Sequence, residues 1–372
     1  MKTNIGENSI RRKIIIVDSI PNVIIATQIR RTLYKDDYFI CVMINGASDL
    51  SGIYEKLLVN RVFDEIYLAD AHSINCFWKK AISLLNLSVA LYMFLGTKFD
   101  FYSITDVFFW NPSNFLFVLL CYLKRHRQSY NLHIYCDAFG GYTVEAPGDP
   151  TYVFCNGVWD YLFREIYKPI SIEVSDYDFY CFKPDICPFT RKHPVWEVPV
   201  EPMLGEEERK LLNDIFSYDE SFSIKQRFIV LGNVPGEIKD QNESDAALRI
   251  ISNIVPKDEL VVKAHPRVKQ TYYEAFGIDV IAKVFPFELY CLNNDIADKV
   301  VIADQSSSVF IPALIYGKQC TVIWLRNLLP GVNVYNDEMW NWFNSLMSKN
   351  GCTVFDVGSE EELICALKQS MG

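Results

Sequence analysis

The chain has 372 residues, of which 50% are hydrophobic and 22% are charged, so it can bury a substantial core and is not intrinsically disordered. Its length predicts two domains of ordinary size. A net charge of −10 and a pI near 5.1 argue against nucleic-acid binding as the main task. Basic clusters at 124–127 and 263–269 still allow a locally basic cleft.

The cysteines indicate a reducing compartment. Eleven are spread singly along the chain, none in a CxxC pair, and the nearest spacing is Cys181 to Cys187. This distribution predicts reduced, buried thiols in a cytoplasmic protein rather than a disulfide framework. Residues 1–13 are polar and charged, so we expect no signal peptide.

The most membrane-like stretch is Ala81–Leu95. It has about 15 residues with polar interruptions, whereas a helix that spans a bilayer needs roughly 20. We therefore predict a buried helix, with peripheral association at the inner face of the membrane as the alternative.

Apolar strands alternate with helical patterns through the first part of the chain. Strands are predicted at 12–18, 38–44, 64–70, 106–110 and 132–137, and helices at 21–34, 73–94 and 112–124. This rhythm predicts a parallel sheet with helices on both faces. Residues 143–201 are irregular and rich in proline and aromatics, which indicates a connection between domains, with a helix near 158–166 and a strand near 178–182.

A second α/β alternation begins at Arg227. Strands are predicted at 227–233, 260–262, 278–281, 300–303 and 321–325, and helices at 244–254, 286–291, 309–315, 336–347 and 359–371. Two Rossmann-like domains facing a cleft, residues 1–200 and 201–372, fit the α/β architecture called GT-B among glycosyltransferases. A periplasmic-type binding protein or an epimerase is the alternative.

His265 ends an apolar strand and precedes Pro266, which disfavours a helix there. Ligands of open α/β sheets bind at the carboxyl ends of strands, so His265 stands where chemistry is expected, flanked by Lys263 and Arg267. Such a histidine can donate a hydrogen bond to a phosphate oxygen or, when protonated, act as the acid for a departing phosphate. The alternative is a histidine that only caps a neighbouring carbonyl.

Three serines follow the strand at 300–303, where a helix begins. We expect this strand end to lie next to that of His265, so that the two form a phosphate-binding site. Ser306, Ser307 and Ser308 would supply hydroxyls and free amides. The alternative is that a serine serves only as the N-cap of the helix.

Further candidate residues lie near the ends of other elements. Gly232 and Asn233 form a loop in which glycine permits close approach to a nucleotide, and Glu237 in this loop is a candidate base. Glu288 lies among aromatic residues. We expect its carboxylate either to accept hydrogen bonds from two ribose hydroxyls or to be a solvated side chain in the first turn of a helix. Asp137 ends a strand of the first domain, where it removes a proton from an acceptor hydroxyl or caps its own turn.

Together these residues make the chain resemble the bacterial sialyltransferases of the GT-B type, in particular glycosyltransferase family 52, the lipooligosaccharide and capsule sialyltransferases. The resemblance rests on His265-Pro266, on the serine motif 306–308, on the acidic and glycine residues 137–141, and on Tyr180–Pro184. It covers residues 227–325 best. It implies an inverting, metal-independent transferase that moves sialic acid from CMP-sialic acid to a hydroxyl of a surface glycan.

The resemblance also implies residue roles. His265 would bind the phosphate and protonate the departing CMP. Ser306 and Ser307 would bind the same phosphate, and Glu288 the ribose or base. The general base would be Asp137 or Glu237. We expect no cofactor beyond the donor substrate and no metal. Transfer from CMP-Kdo or a UDP-sugar, or a non-catalytic nucleotide- or glycan-binding role in polysaccharide assembly, are the alternatives.

Overall fold

The structure of the protein is a computed structural model. It describes residues 12–46, 49–71, 86–99, 101, 103–110, 113–126, 128–136, 177–187, 194–232, 241–265, 268–281, 285–304, 306–325, 327–329 and 337–372. The chain divides into two compact units, Met1–Phe216 and Ser217–Gly372. This boundary lies at residue 216, later than the position expected at residue 200.

Within the described residues, the first unit contains a seven-stranded parallel sheet in the order β3-β2-β1-β4-β5-β6-β7. Its strands are β1 (Arg12–Val17), β2 (Tyr38–Asn45), β3 (Glu65–Asp70), β4 (Ile104–Phe109), β5 (Asn131–Tyr135), β6 (Tyr177–Cys181) and β7 (Val195–Glu197). In the central strand β1, Ile14, Ile15 and Val17 are fully buried. A parallel strand covered on both faces requires such a continuous apolar run.

Of the helices of the first unit, the first, third and fourth overlap the ranges predicted at 21–34, 73–94 and 112–124, the second and fifth are additions, and the sixth begins where the acidic run 206–208 indicates a helix start. The helices are α1 (Ile20–Gln28), α2 (Ser51–Val59), α3 (Leu87–Leu95), α4 (Asn114–Arg125), α5 (Glu201–Leu204) and α6 (Glu206–Ile215). The expected helix over 73–94 is described only from Asn86, whose side chain caps the first turn of α3. Its earlier residues lie outside the described ranges.

Ion pairs explain why residues 201–216 belong to the first unit. Arg31, after α1, donates from its Nη2 to Glu208 of α6 at 2.5 Å. Lys56 of α2 donates to Asp214 of α6 at 2.7 Å. Helix α6 is therefore attached to two earlier helices of the same unit, which places the boundary after it.

The proline-rich segment expected to connect the domains in fact extends the first sheet. The predicted strand near 178–182 is confirmed as β6, and β7 is an addition at the sheet edge. The Phe179 amide donates to the Pro194 carbonyl, and the Val198 amide to the Cys181 carbonyl, both at 2.8 Å. An edge strand tolerates neighbouring prolines because one side needs no ladder partner. The helix expected at 158–166 lies outside the described residues.

The second unit contains a parallel sheet of six described strands in the order β10-β9-β8-β11-β12-β13. They are β8 (Phe228–Leu231), β9 (Leu260–Lys263), β10 (Asp279–Val280), β11 (Val300–Ala303), β12 (Thr321–Trp324) and β13 (Thr353–Asp356). The sequence pattern predicts all of them except β13. The second α/β unit is therefore confirmed.

Helices cover this sheet. They are α7 (Gln241–Ile254), α8 (Thr271–Glu274), α9 (Phe287–Asn293), α10 (Ile311–Leu314), α11 (Asp337–Lys349) and α12 (Glu360–Met371). One buried cluster joins Val230 of β8, Ile251 of α7 and Leu367 of α12. Helix α9 is different, because residues 287–292 are all buried. It is a short, fully enclosed helix rather than an amphipathic surface helix.

Candidate functional site

Three strands of the second sheet end side by side at its carboxyl edge. His265 comes two residues after β9, Gly232 directly after β8, and Ser306 three residues after β11. The expectation that the strands before His265 and Ser306 are neighbours is wrong, because β8 lies between them and pairs with both. Alternate strands of a sheet lie about 9–10 Å apart. The two polar positions therefore lie on either side of Gly232, two strand spacings apart.

His265 is held at this edge by a tight turn. Its carbonyl accepts a hydrogen bond from the Val268 amide at 2.9 Å, which folds the chain back after β9. The residue is partly buried. Pro266 and Arg267 lie outside the described residues. The structure thus places His265 at a strand end, and its role as phosphate ligand and acid stays a prediction.

The serine motif begins a short 3₁₀ turn, Ser307–Phe310, that continues into α10. Ser306 stands at the N-cap position, but its side chain makes no capping hydrogen bond. Capping therefore does not account for the Ser306 hydroxyl. Ser308 is partly buried, and the side chain of Ser307 lies outside what the structure describes.

Gly232 is a glycine because a tyrosine occupies the space of its side chain. A Cβ on Gly232 would lie 2.1 Å from the Tyr273 Oη atom and 2.6 Å from its Cζ atom. The Gly232 amide donates to the Lys263 carbonyl at 3.0 Å, so β8 and β9 stay paired to this point. Tyr273 thus accounts for a glycine at this position, and close approach of a nucleotide to the loop stays a prediction.

A polar cluster beside Gly232 was missed by sequence reasoning. Tyr272 donates from its Oη to Asp245 of α7 at 2.6 Å. Burial, and then the charge of Asp304 after β11, raise the pKa of Tyr273, so its phenol stays protonated. Tyr272, Tyr273 and Asp304 line, with Gly232, a cavity of about 30 Å³, which is large enough for water but not for a sugar.

One signal could have revealed part of this cluster. Asp304 follows β11 directly, as a polar residue at a strand end, and its carbonyl accepts a hydrogen bond from Trp324 Nε1 at 2.7 Å. Tyr272 and Tyr273 carry no comparable pattern, since they lie in the four-residue helix α8.

Glu288 of α9 is buried, and its charge and that of the partly buried Lys263 at the end of β9 influence each other. Glu288 is 7% exposed. Burial raises the pKa of Glu288, and the charge of Lys263 opposes the shift. Burial lowers the pKa of Lys263, and Glu288 opposes that shift in turn. The Lys263 ammonium also lies 5.6 Å from the centre of the Phe285 ring. Binding of a ribose by Glu288 stays a prediction.

The candidate bases cannot be placed in this geometry. Asp137, Asn233 and Glu237 lie outside the described residues. β5 ends at Tyr135, and the following Cys136 amide donates to the Tyr180 carbonyl of β6 at 2.8 Å. In the sequence, Asp137 thus comes two residues after the end of β5, which is paired up to its carboxyl end.

The first unit contains a buried charged cluster that the sequence does not reveal. Asp106 of β4 accepts hydrogen bonds from Lys13 at 2.9 Å, Thr105 at 2.6 Å, Asn131 at 3.1 Å and His133 at 3.0 Å. Burial alone raises the pKa of Asp106, but these hydrogen bonds outweigh it and hold the pKa well below its usual range. A carboxylate with this many donors is a structural centre that joins β1, β4 and β5.

The first unit also has a cavity of about 430 Å³ beside α3, lined by these eight residues: Ser88, Val89, Tyr92, Thr97, Lys98, Phe99, Phe101 and Tyr122. Phe101 precedes the amino end of β4, and Tyr122 lies in the last turn of α4. The cavity therefore opens near the amino ends of the strands, away from the edge where ligands of such sheets bind.

The described residues contain neither a metal-binding cluster nor a helix that could span a membrane. They contain no group of three or more His, Cys, Asp or Glu side chains placed to hold a metal ion. Nor does any helix among them have the length and apolar character to cross a membrane.

Comparison with known proteins identifies the architecture. A protein assigned as a UDP-N-acetylglucosamine 2-epimerase from Listeria monocytogenes matches 97% of this chain and 87% of its own, with a TM-score of 0.53 and 11% identity. The UDP-GlcNAc 2-epimerase from Neisseria meningitidis bound to UDP-GlcNAc matches 97% and 91%, with a TM-score of 0.50 and 10% identity. The chain has the GT-B fold.

A third similar structure is TcCGT1 in complex with UDP, which matches 97% of this chain and 90% of its own, with a TM-score of 0.50 and 8% identity. At such low identities the likeness shows the fold alone. No protein-family model and no curated protein matches the sequence.

Proposed function

We propose that the protein is a glycosyltransferase that binds the phosphate of a nucleotide-sugar donor at the carboxyl edge of its second sheet. The observation that carries this proposal is the arrangement of His265, Gly232 and Ser306 at the ends of β9, β8 and β11. The GT-B relatives support it, since two of those named above were solved with UDP or UDP-GlcNAc.

In this proposal His265 and Ser306 approach the phosphate from the two sides of Gly232. His265 donates a hydrogen bond to a phosphate oxygen and, when protonated, neutralises the charge that develops on the departing nucleotide. The Ser306 hydroxyl makes no cap bond and can donate to the same group. Stabilising the leaving phosphate in this way requires no metal ion.

The donor proposed first is CMP-sialic acid, because the His-Pro and serine motifs resemble those of family 52 sialyltransferases. Transfer to a hydroxyl of a surface glycan would then proceed with inversion, with Asp137 or Glu237 as the base. A UDP-sugar donor is the second candidate, because UDP and UDP-GlcNAc occupy the two relatives named above.

A thermal-shift panel of CMP, UDP, GDP and their sugars tests the proposal. We expect one nucleotide to raise the Tm of the wild type, and to raise that of His265→Ala and Ser306→Ala much less. His126→Ala, an exposed histidine of the first unit, is the matched control and should respond like the wild type. The nucleotide that shifts the Tm decides between CMP and UDP donors.

An equal Tm shift in the wild type and in His265→Ala would contradict a phosphate site at this edge of the sheet. If a nucleotide binds as expected, a transfer assay with Asp137→Asn and Glu237→Gln identifies the base. The variant that keeps the thermal shift but loses turnover has lost the base. Binding without turnover in the wild type, over a range of acceptor glycans, would favour the non-catalytic alternative.

A further inference from the structure

Two cysteines lie side by side at the amino edge of the second sheet. Cys320 precedes β12 and Cys352 precedes β13, and Thr321 pairs with Thr353 in parallel register. The Thr353 amide donates to the Cys320 carbonyl at 3.2 Å, so the pairing reaches the cysteines. Neighbouring strands lie about 4.8 Å apart, which falls within the Cα separation that a disulfide bridges.

The two side chains already meet. The Cys320 and Cys352 side chains are near enough for each thiol to change the pKa of the other. The Cys352 Sγ atom also donates to the Lys318 carbonyl at 3.6 Å. Lys318 is itself fixed, because its ammonium donates to the Cys291 and Asn294 carbonyls at the end of α9, at 2.5 and 2.8 Å. The Cys352 Sγ atom is thereby fixed to the segment that leads into β12.

The two thiols differ in reactivity. The neighbouring Cys320 thiol lowers the pKa of Cys352 despite its burial, and the Cys352 thiol, with burial, raises the pKa of Cys320. By contrast, burial raises the pKa of Cys121 to about 12. The thiolate is the nucleophile in thiol chemistry, and Cys352 is 8% exposed against 3% for Cys320, so Cys352 is the better placed of the two to attack an oxidant from solvent.

Cys352 is also close to solvent. It is 8% exposed and stands between Gly351 and Thr353, both exposed. β13 is the edge strand of the sheet, with β12 as its neighbour. Edge strands open locally more easily than central ones, so a small oxidant can reach this sulfur without unfolding the core.

We propose that Cys320 and Cys352 form a reversible, redox-sensitive disulfide between β12 and β13. The oxidant is a small-molecule disulfide such as glutathione disulfide. The Cys352 thiolate attacks one of its sulfurs and releases one glutathione thiolate, leaving a mixed disulfide on Cys352. Cys320 then loses its proton and attacks the Cys352 sulfur, which releases the second glutathione. Two protein thiols are oxidised and one glutathione disulfide is reduced to two thiols.

The test incubates the full chain at a series of glutathione disulfide to glutathione ratios, alkylates the free thiols and maps the peptides without reduction. A Cys320–Cys352 linked peptide is expected, and dithiothreitol should remove it. The cross-link closes a loop that contains α11, so the oxidised protein should melt roughly 5 °C or more above the reduced one.

Three variants separate the roles. Cys320→Ser should retain glutathione on Cys352 as a mixed disulfide, because the resolving thiol is missing, whereas Cys352→Ser should form neither product. Cys365→Ser is the matched control at an exposed cysteine and should leave the linked peptide unchanged. Circular dichroism of the reduced variants checks that each is folded.

Two results would overturn the proposal. One is that Cys320 and Cys352 stay free under ratios that fully glutathionylate Cys365. The other is that Cys352 links to a different cysteine, such as Cys291, in preference to Cys320.

Discussion

Both units bury charged side chains, but they surround them differently. In the first unit, Asp106 accepts hydrogen bonds from four side chains, and its pKa lies well below the usual range. In the second, burial raises the pKa of Glu288 and lowers that of Lys263, and each group only partly offsets the shift of the other. The Asp106 carboxylate is thus fully hydrogen-bonded within the protein, whereas the pKa shifts of Glu288 and Lys263 favour their neutral forms.

This difference separates a structural cluster from a candidate functional one. A carboxylate with its donors in place has little capacity left for a ligand and contributes to the fold. Charged groups that lack such compensation are frequent at functional sites. Lys263 is the last residue of β9 and precedes His265 by two positions, so one of the two less compensated groups lies next to the proposed phosphate site.

The largest expected effect is at Asp106. Asp106→Asn keeps the shape of the side chain but removes the charge that balances Lys13, and it offers His133 a poorer partner. Breaking a buried pair by removing one partner destabilises proteins by about 3–5 kcal/mol. We expect a loss of this size in the free energy of unfolding, measured by urea denaturation at pH 7.

Asp178→Asn is the control for this measurement. Asp178 approaches the same His133 at 3.6 Å, but its side chain is 32% exposed. We expect a change below about 1 kcal/mol, as for other solvent-exposed ion pairs. Equal losses in the two variants would contradict the view that Asp106 is the centre of the cluster.

The second prediction concerns the strand edge itself. Gly232→Ala places a Cβ 2.1 Å from the Tyr273 Oη atom, and such overpacking destabilises by about 1–3 kcal/mol. Tyr273→Phe should relieve only part of this loss, because the ring Cζ atom remains 2.6 Å away. Thermal denaturation of the single and double variants measures this coupling.

Gly52→Ala is the matched control, since nothing lies within 4 Å of a Cβ at Gly52 in α2. There the substitution should stabilise the helix by roughly 0.5–1 kcal/mol. If Gly232→Ala destabilised the protein no more than Gly52→Ala, the contact with Tyr273 would not explain the glycine at the end of β8.

The sequence reveals elements and sites to the extent that their signals are local. Buried strands such as β1 and β11 are continuous apolar runs and are predicted correctly. The edge strands β7 and β13 have three and four residues and no long apolar run, so they escape detection. His265 and Ser306 can be found because each is a polar residue that follows such a run.

Other features depend on register, which spacing in the sequence does not determine. Asp106 and His133 are 27 positions apart and meet only because β4 pairs with β5. Tyr273 and Gly232 meet because α8 folds back over β8. The position of β8 between β9 and β11 is likewise set by the order of strands in the sheet. As a result, His265 and Ser306 lie on either side of Gly232 instead of at neighbouring strand ends.

The smallest effect is expected at Glu288, with a sign opposite to that at Asp106. Because the folded-state pKa of Glu288 is raised, its contribution to stability is present below the unfolded pKa near 4.3 and is lost as pH rises through the folded value. Glu288→Gln should therefore match or exceed the wild type by about 1 kcal/mol at pH 7, with the difference shrinking toward pH 4.

Asp106 follows the reverse rule. Its pKa is depressed, so its stabilisation is present above an unfolded pKa near 3.9 and is lost as pH falls below that value. Urea denaturation of both variants between pH 3 and 8 should give one destabilised and one stabilised protein at pH 7, with the Glu288→Gln difference gone near pH 4 and the Asp106→Asn difference only beginning to shrink at pH 3. A loss of stability in Glu288→Gln comparable to that in Asp106→Asn would show that Glu288 is held as a paired carboxylate, and the contrast between the two units would disappear.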